Sequence, residues 1–305
     1  MNPFGVTTAL SHMPQTVATG AELVSVYEAD SFFEGPTWDP QAASLYFTSW
    51  ARPSTQVLRW NLSGQVDIWL ANSEGINGTF LSNKGRLLGA QVHRHRVVSY
   101  LLGQDTMVES ILLAEDLTWH QPNDLCQSPD GDIYLTDPDF ASRKTSAVYC
   151  LSVTGNLTKV INDMPLPNGI ICALDGNMLY VADSHEKHWR IYPITNNGQV
   201  GEGRIFFDPE TTDQSVPDGM SIDELGNLYL TGRGGVWVVN PLGKSLGLIP
   251  VPEFASNVTF GGKEGRTLFI TCDKKLYRLR MNVRGGHRSL HRCHDDDIRS
   301  STAPR

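Results

Sequence analysis

The sequence predicts an all-β chain folded as a six-bladed β-propeller around a central channel, and three observations carry that expectation. A short apolar segment recurs six times: SLYFTSW from Ser44, GRLLGAQ from Gly85, GDIYLTD from Gly131, NMLYVAD from Asn177, GNLYLTG from Gly226 and RTLFITC from Arg266. Its markers Leu45, Leu87, Ile133, Leu179, Leu228 and Leu268 are spaced by 42, 46, 46, 49 and 40 residues, the length of a four-stranded propeller blade. Helical periodicity is nearly absent, and turn signals such as LSGQ, VTGN, NNGQ and PLGK punctuate the units.

Within each unit the same order of signals repeats. In QPNDLCQSPDGDIYLTDPDF, residues 121–140, SPDG marks a turn and DIYLTD a strand, while Asn123 and Asp124 lead into the apolar run before the turn. Burying unpaired polar side chains is costly, so their place needs a reason. The repeat supplies one. Ten or eleven residues before each marker stands a polar residue that opens an apolar strand: Glu34 in EGPTW, Asn77 in NGTF, Asn123 in PNDL, Asn168 in PNGI, Asp218 in PDGM and Asn257 in SNVTF. Equivalent positions in successive blades lie on one ring, so these side chains are expected to converge at one mouth of the channel. The ring holds two carboxylates and four amides and no thiol or imidazole. Such hard oxygen donors suit calcium or magnesium rather than zinc or copper, and ligands drawn from several strands suit the flexible shell of calcium better than strict magnesium geometry. A wet channel whose polar groups bond one another is the alternative reading of the same ring.

Composition narrows the partners. A chain of 305 residues with 40% apolar content can bury a real core, and 28 glycines with 17 prolines fit many turns. A net charge of −8 argues against nucleic acid, which needs a basic surface. No apolar run approaches the roughly 18 residues of a membrane span, so no membrane partner is expected. The N-terminal stretch has neither a basic region nor a sustained apolar core, so no signal peptide is expected. Five cysteines without CxxC spacing suit reduced thiols and a cytoplasmic setting. The expected division is an N-terminal extension over 1–21, the propeller over 22–283, and a disordered tail over 284–305. Transition-metal binding by His287, His291, Cys293 and His294 is the alternative for that tail. HEKHW, from His185, has Trp189 where a HExxH zinc motif needs its second histidine; it reads as a surface turn, or as a loop bordering the mouth. GRGG at Gly232 and LGKS at Leu242 lack nucleotide-binding spacing.

The segments EGPTWDPQAASLYFTSW, PNDLCQSPDGDIYLTDP, PNGIICALDGNMLYVADS, PDGMSIDELGNLYLTG and FGGKEGRTLFIT together resemble the successive signatures of the SMP-30/gluconolactonase family, over roughly residues 22 to 283. The resemblance implies a six-bladed propeller with a divalent metal on its axis, usually Ca2+, with Zn2+, Mn2+ and Mg2+ as further candidates. It also implies hydrolysis of a small-molecule sugar lactone or related ester. The family's metal-ligating glutamate, asparagine and aspartate match Glu34, Asn168 and Asp218. Its asparagine at the metal or the substrate matches Asn123. GRLLGAQVHRHRVV departs from the bacterial pattern LLxCEHGxRRV, with Gln91 and Val92 replacing a Glu-His pair and a histidine displaced to His93. His93 is therefore either a substrate contact or part of a solvated strand face. Gln121 stands where animal members carry a substrate-binding arginine, which points to a different substrate preference.

From that site the chemistry follows. Asp218 is the candidate base for the attacking water, or a ligand only. Asn123 and Asp124 would orient hydroxyls or the ring oxygen, with Asp124 alternatively capping backbone amides beneath the site. A phosphotriesterase-like hydrolase using the same ring and a non-catalytic binding propeller are the competing readings. A strictosidine-synthase-like propeller is disfavoured by the pair Glu34 and Asp218.

Overall fold

Six antiparallel four-stranded sheets account for the 24 strands of the computed structural model, which describes residues 13–103, 110–195 and 198–286. After β1 (Val24–Glu28), the first blade runs β2 (Phe33–Asp39), β3 (Ser44–Ser49), β4 (Gln56–Asn61) and β5 (Val66–Leu70). The second comprises β6 (Ile76–Leu81), β7 (Arg86–Gln91), β8 (Arg96–Leu101) and β9 (Ser110–Glu115). The third is β10 (Leu125–Gln127), β11 (Ile133–Asp137), β12 (Ala147–Leu151) and β13 (Leu157–Ile161). Blade four holds β14 (Pro167–Cys172), β15 (Met178–Asp183), β16 (His188–Pro193) and β17 (Arg204–Phe207). Blade five holds β18 (Met220–Ile222), β19 (Leu228–Gly232), β20 (Gly235–Val239) and β21 (Ser245–Pro250). The last is β22 (Ala255–Gly261), β23 (Thr267–Cys272) and β24 (Lys275–Arg280), completed by β1. No α-helix occurs among the described residues; a 3-10 turn spans Val92–Arg94.

The expected propeller is the observed fold, and all six markers fall in the second strand of a blade. The reason those strands were legible is that neighbouring blades cover both of their faces. Tyr46 and Phe47 beside Leu45, Tyr134 and Leu135 beside Ile133, and Tyr229 and Leu230 beside Leu228 are all buried, so the strands read as unbroken apolar runs. Between blades the wedges are filled with aromatics: Trp38 of β2 stacks on Phe269 of β23 at 5.7 Å, and Tyr229 meets Phe260 edge-on at 4.8 Å. Each such side chain, fully buried, stabilises the fold by about 2–3 kcal/mol.

Ring closure uses the chain's beginning. β1 pairs antiparallel with β24, placing an N-terminal strand as the outer strand of the C-terminal blade. Residues 13–21 run against that blade as well: Val17 bridges Met281 and is buried in its core, and Asn282 N–H donates to Thr16 O at 2.7 Å. At the other end Gly285 bridges Asp223 of the fifth blade, so residues 284–286 also pack on the propeller. The histidines and the cysteine of the expected tail, from His287 onward, lie outside the described residues.

Candidate active site

Each first strand begins at the same end of the molecule, and the ring residues stand at those beginnings. Glu34, Asn77, Asn168 and Asn257 lie in β2, β6, β14 and β22, while Asn123 and Asp218 stand two residues before β10 and β18. Four of the six are followed by glycine, and the structure shows why. A Cβ on Gly78 would run into the Asp124 carboxylate, and one on Gly219 into the Asn257 amide. Gly78 N–H also donates to Asn123 O at 2.7 Å and Gly219 N–H to Ser256 O at 2.8 Å. These glycines let adjacent first strands approach closely enough for the polar groups to meet on the axis.

The polar groups form two layers. Glu34, Asn77, Asn123, Asn168 and Asp218 reach the floor of an open cavity of about 460 Å³ at the mouth. Below it, Asp124 and Asn257 line a chamber of about 50 Å³ with Thr37, Thr79 and Ser221. The Asn257 amide joins the layers, donating to Glu34 Oε2 at 2.9 Å and lying 3.5 Å from Asp124 Oδ2, while its own oxygen accepts Val258 N–H at 2.8 Å.

Hydrogen bonding divides the four amides. Asn77 Oδ1 accepts Trp50 Nε1–H at 3.0 Å, and Asn257 Oδ1 is held by Val258, so both are framework groups. By contrast Asn123 Oδ1 is buried without a hydrogen-bond partner. The Asn168 amide donates to Ser184 Oγ at 3.1 Å, and Ser184 in turn donates to Pro217 O at 2.7 Å, fixing the position of Asn168 beside Asp218.

Three buried carboxylates, Glu34, Asp124 and Asp218, repel one another. Burial, then the charge of Asp124, pushes Glu34 up to about 8. Burial likewise raises Asp124 to about 7 against the hydrogen bonds of Leu125, Asn257 and Ile170. Burial, followed by the charges of Glu34 and Asp124, holds Asp218 well above the usual carboxylate range. Among the described residues no cluster of three or more His, Cys, Asp or Glu is arranged to hold a metal. The fit is instead with a mixed carboxylate and amide set: an orphaned amide oxygen on Asn123 beside mutually repelling carboxylates is chemistry a hard cation satisfies.

The remaining expected site residues are placed differently from the floor. His93 is exposed on the 3-10 turn, its ring edge-on to Trp50 at 5.8 Å and covering Gly75, outside the wall of the mouth cavity. Gln121 is also exposed and outside that wall; its N–H donates to Asp137 Oδ1 at 2.8 Å. Asp124 faces the lower chamber and accepts its neighbour's Leu125 N–H at 2.8 Å, the amide-capping arrangement.

Further groups, most of them passed over by the sequence reading, complete the mouth. Phe32, Phe140, Leu166, Val216 and Phe254 give it an apolar wall, and Arg143, Ser184, His185 and Lys187 a polar one. The turn containing HEKH thus borders the mouth, the second of its two readings. Arg143 and Lys187 had a signal in DFASR and DSHEK, two turns in consecutive blades with an aspartate four residues before a cation.

Comparison with known proteins fits this geometry. Residues 32–274 match the SMP-30/Gluconolactonase/LRE-like region. A gluconolactonase of Zymomonas mobilis is 28% identical over 287 residues, covering 83% of this chain and 79% of the relative. The solved gluconolactonase of Xanthomonas campestris superposes with a TM-score of 0.76 at 27% identity, covering 87% and 91% of the two chains. A protein of Agrobacterium tumefaciens described as the calcium-binding protein regucalcin shares the fold, with a TM-score of 0.73 at 20% identity over 86% and 94%. With a match across most of its length, the chain belongs to the SMP-30/gluconolactonase/LRE-like family.

Proposed function

We propose that the chain is a metal-dependent lactonase that opens a sugar lactone or related cyclic ester, with calcium as the ion. The observation that carries this reading is the convergence of Glu34, Asn123, Asn168 and Asp218 on the floor of the mouth, with Asn123 Oδ1 buried and unpartnered. These four would hold the ion. When bound, it supplies positive charge where negative charge develops on the lactone carbonyl oxygen.

The chain's own residues supply the rest. Asp218 takes a proton from the attacking water as the water oxygen bonds to the carbonyl carbon. As the bond to the ring oxygen breaks, the same proton passes from Asp218 to that oxygen, leaving a hydroxy acid. Ser184 keeps Asn168 in place beside Asp218. The apolar wall from Phe32 to Phe254 limits the water that reaches the reacting bond. A cytoplasmic setting belongs to the same reading, supported by four described cysteines that are all buried and free.

A panel of sugar lactones, simple esters and phosphotriesters tests the proposal, with protein assayed after chelation and after calcium is restored. Lactone turnover that disappears with chelator and returns with calcium is the expected result. Turnover of phosphotriesters alone, or lactone turnover indifferent to chelator, would overturn it.

A further inference from the structure

The mouth is polarised: two cations, Arg143 and Lys187, stand on one flank of its wall, above the carboxylates and amides of the floor. Arg143 closes the turn between β11 and β12, and Lys187 the turn between β15 and β16; both line the cavity. The turns are built alike. Asp139 Oδ1 accepts Ala141 and Ser142 N–H at 3.1 and 2.9 Å, and Asp183 Oδ1 accepts His185 and Glu186 N–H at 2.9 and 3.1 Å. Arg143 N–H then donates to Asp139 O at 2.8 Å and Lys187 N–H to Asp183 O at 2.9 Å. Both closing residues adopt left-handed backbone, with φ of 59° and 60°, where glycine is the unstrained choice. Long cationic side chains stand there instead.

Among the described residues neither cation enters an ion pair. Among the described residues the Arg143 guanidinium enters no ion pair or hydrogen bond. Lys187 Nζ donates to the neutral Gln214 Oε1 at 2.7 Å, and its charge reaches Asp213 only behind that of Arg233. Arg233, in the corresponding turn of the fifth blade with φ of 53°, shows the contrasting case. It is buried and ties down the preceding connection by donating to Asp213 O at 2.6 Å. Across the cavity from blades three and four, the sixth and first blades contribute Phe254 and Phe32. In a chain of net charge −8, a cationic flank confined to one side of the pocket is a feature of the site rather than of the surface.

We propose that the substrate is an anionic lactone, a sugar lactone with a carboxylate or phosphate remote from its carbonyl, and that Arg143 and Lys187 bind that group. This rests on the lactonase reading and adds the charge of the substrate to it. The floor takes the lactone end, and the guanidinium and ammonium take the anion as charge-assisted hydrogen bonds.

The test compares glucono-δ-lactone with its carboxylate analogue glucarolactone and with 6-phosphogluconolactone, using wild type, Arg143→Gln, Lys187→Gln and the double variant. Expected is a KM for at least one anionic lactone about tenfold or more below that of the neutral one. The double variant should raise KM for the anionic substrates about tenfold more than for the neutral lactone, with kcat nearly unchanged. Lys144→Gln, an exposed cation outside the cavity wall, should do neither. Calorimetric binding of glucarate against the neutral sugar alcohol sorbitol gives a readout independent of turnover. The preferred anion, carboxylate or phosphate, is read from the two anionic substrates. Turnover of the neutral lactone with equal or lower KM, and no differential effect of the double variant, would overturn the anion site while leaving the lactonase reading intact. No turnover of any lactone would remove both.

Discussion

The two layers on the axis are built from the same residue types, carboxylates and amides, yet they differ in the cavity they line and in whether an acceptor is left unfilled. In the lower layer Asp124 accepts Leu125 N–H, and Asn257 accepts Val258 N–H while donating to Glu34. Those side chains hold the first strands together. In the upper layer Asn123 Oδ1 is left without a partner, while Glu34 Oε2 accepts its neighbour's Gly35 N–H at 2.6 Å and Asp218 meets the charges of Glu34 and Asp124. A buried acceptor that no protein group fills calls for a ligand, and the upper layer holds such an acceptor in Asn123 Oδ1. The contrast can be broken by mutation, layer against layer.

The largest effect is expected at Asp218. If it accepts the water's proton, calcium-saturated Asp218→Asn loses about 100-fold or more in kcat, the usual scale of general-base catalysis. Measuring calcium occupancy in the same samples separates chemistry from binding. Near-wild-type turnover in the saturated variant would leave Asp218 as a ligand only.

Next come the ligands. Glu34→Gln and Asn168→Ala should each weaken calcium binding about tenfold or more in calorimetric titrations, since each removes an oxygen or charge from a hard-cation site. Asn77→Ala should change affinity far less, because its oxygen is occupied by Trp50 Nε1–H. Equal losses at Asn77 and Asn168 would show that ring position alone, rather than an available oxygen, sets the site.

The two layers also mark how much was legible in advance. Strand periodicity gave the blades because second strands such as Leu45–Phe47 are buried on both faces. The fixed offset from those strands located Glu34, Asn123, Asn168 and Asp218 on one ring. Depth was not legible: nothing in PND distinguishes Asn123 at the mouth from Asp124 one residue on, because alternate side chains of a strand entering the channel point to different levels. Outer strands were also unreadable: in β9, SILLAE, Ile111 and Leu112 are exposed while Leu113 and Ala114 pack on the core, so residue type does not report burial there. Ring closure by β1 depends on a pairing between the two ends of the chain, which leaves no local trace. Arg143 and Lys187 were missed because turns vary freely in sequence, and only their shared Asp-to-cation spacing betrays them.

Metal removal should have a pH-dependent effect on stability. Glu34 is raised to about 8 and Asp124 to about 7, with Asp218 raised as well. For acids whose folded values lie above their unfolded ones, the native state holds more protons, so their contribution is fully present below about pH 4 and is lost as pH rises through about 8. Chelated protein should therefore melt progressively lower between about pH 5 and 8.5, by roughly 5 °C or more. Calcium binds the ionised carboxylates and adds stability by mass action, so the gap between calcium and chelator midpoints should widen with pH. A gap that stays constant across that range would mean that these carboxylates are not what the ion meets.

The smallest effect on the metal is expected from Asp124→Asn, and it gives the sharpest view of the lower layer. The native carboxylate is surrounded by donors: Leu125 N–H at 2.8 Å, the Asn257 amide at 3.5 Å, and the Ile170 N–H that holds its pKa down. An amide would lose one acceptor and turn an NH2 toward another donor, a loss of about 1–3 kcal/mol when the group is buried. The same change removes a charge that raises both Glu34 and Asp218. In calcium the first term should dominate and lower the melting midpoint. In chelator at alkaline pH the relief of repulsion opposes it, so the variant's midpoint should fall less steeply with pH than that of wild type. Calcium affinity should stay within about threefold of wild type, because Asp124 lines the lower chamber and not the mouth cavity where the ion's proposed ligands converge. A loss of affinity as large as that of Glu34→Gln would place Asp124 in the metal's own shell and merge the two layers into one site.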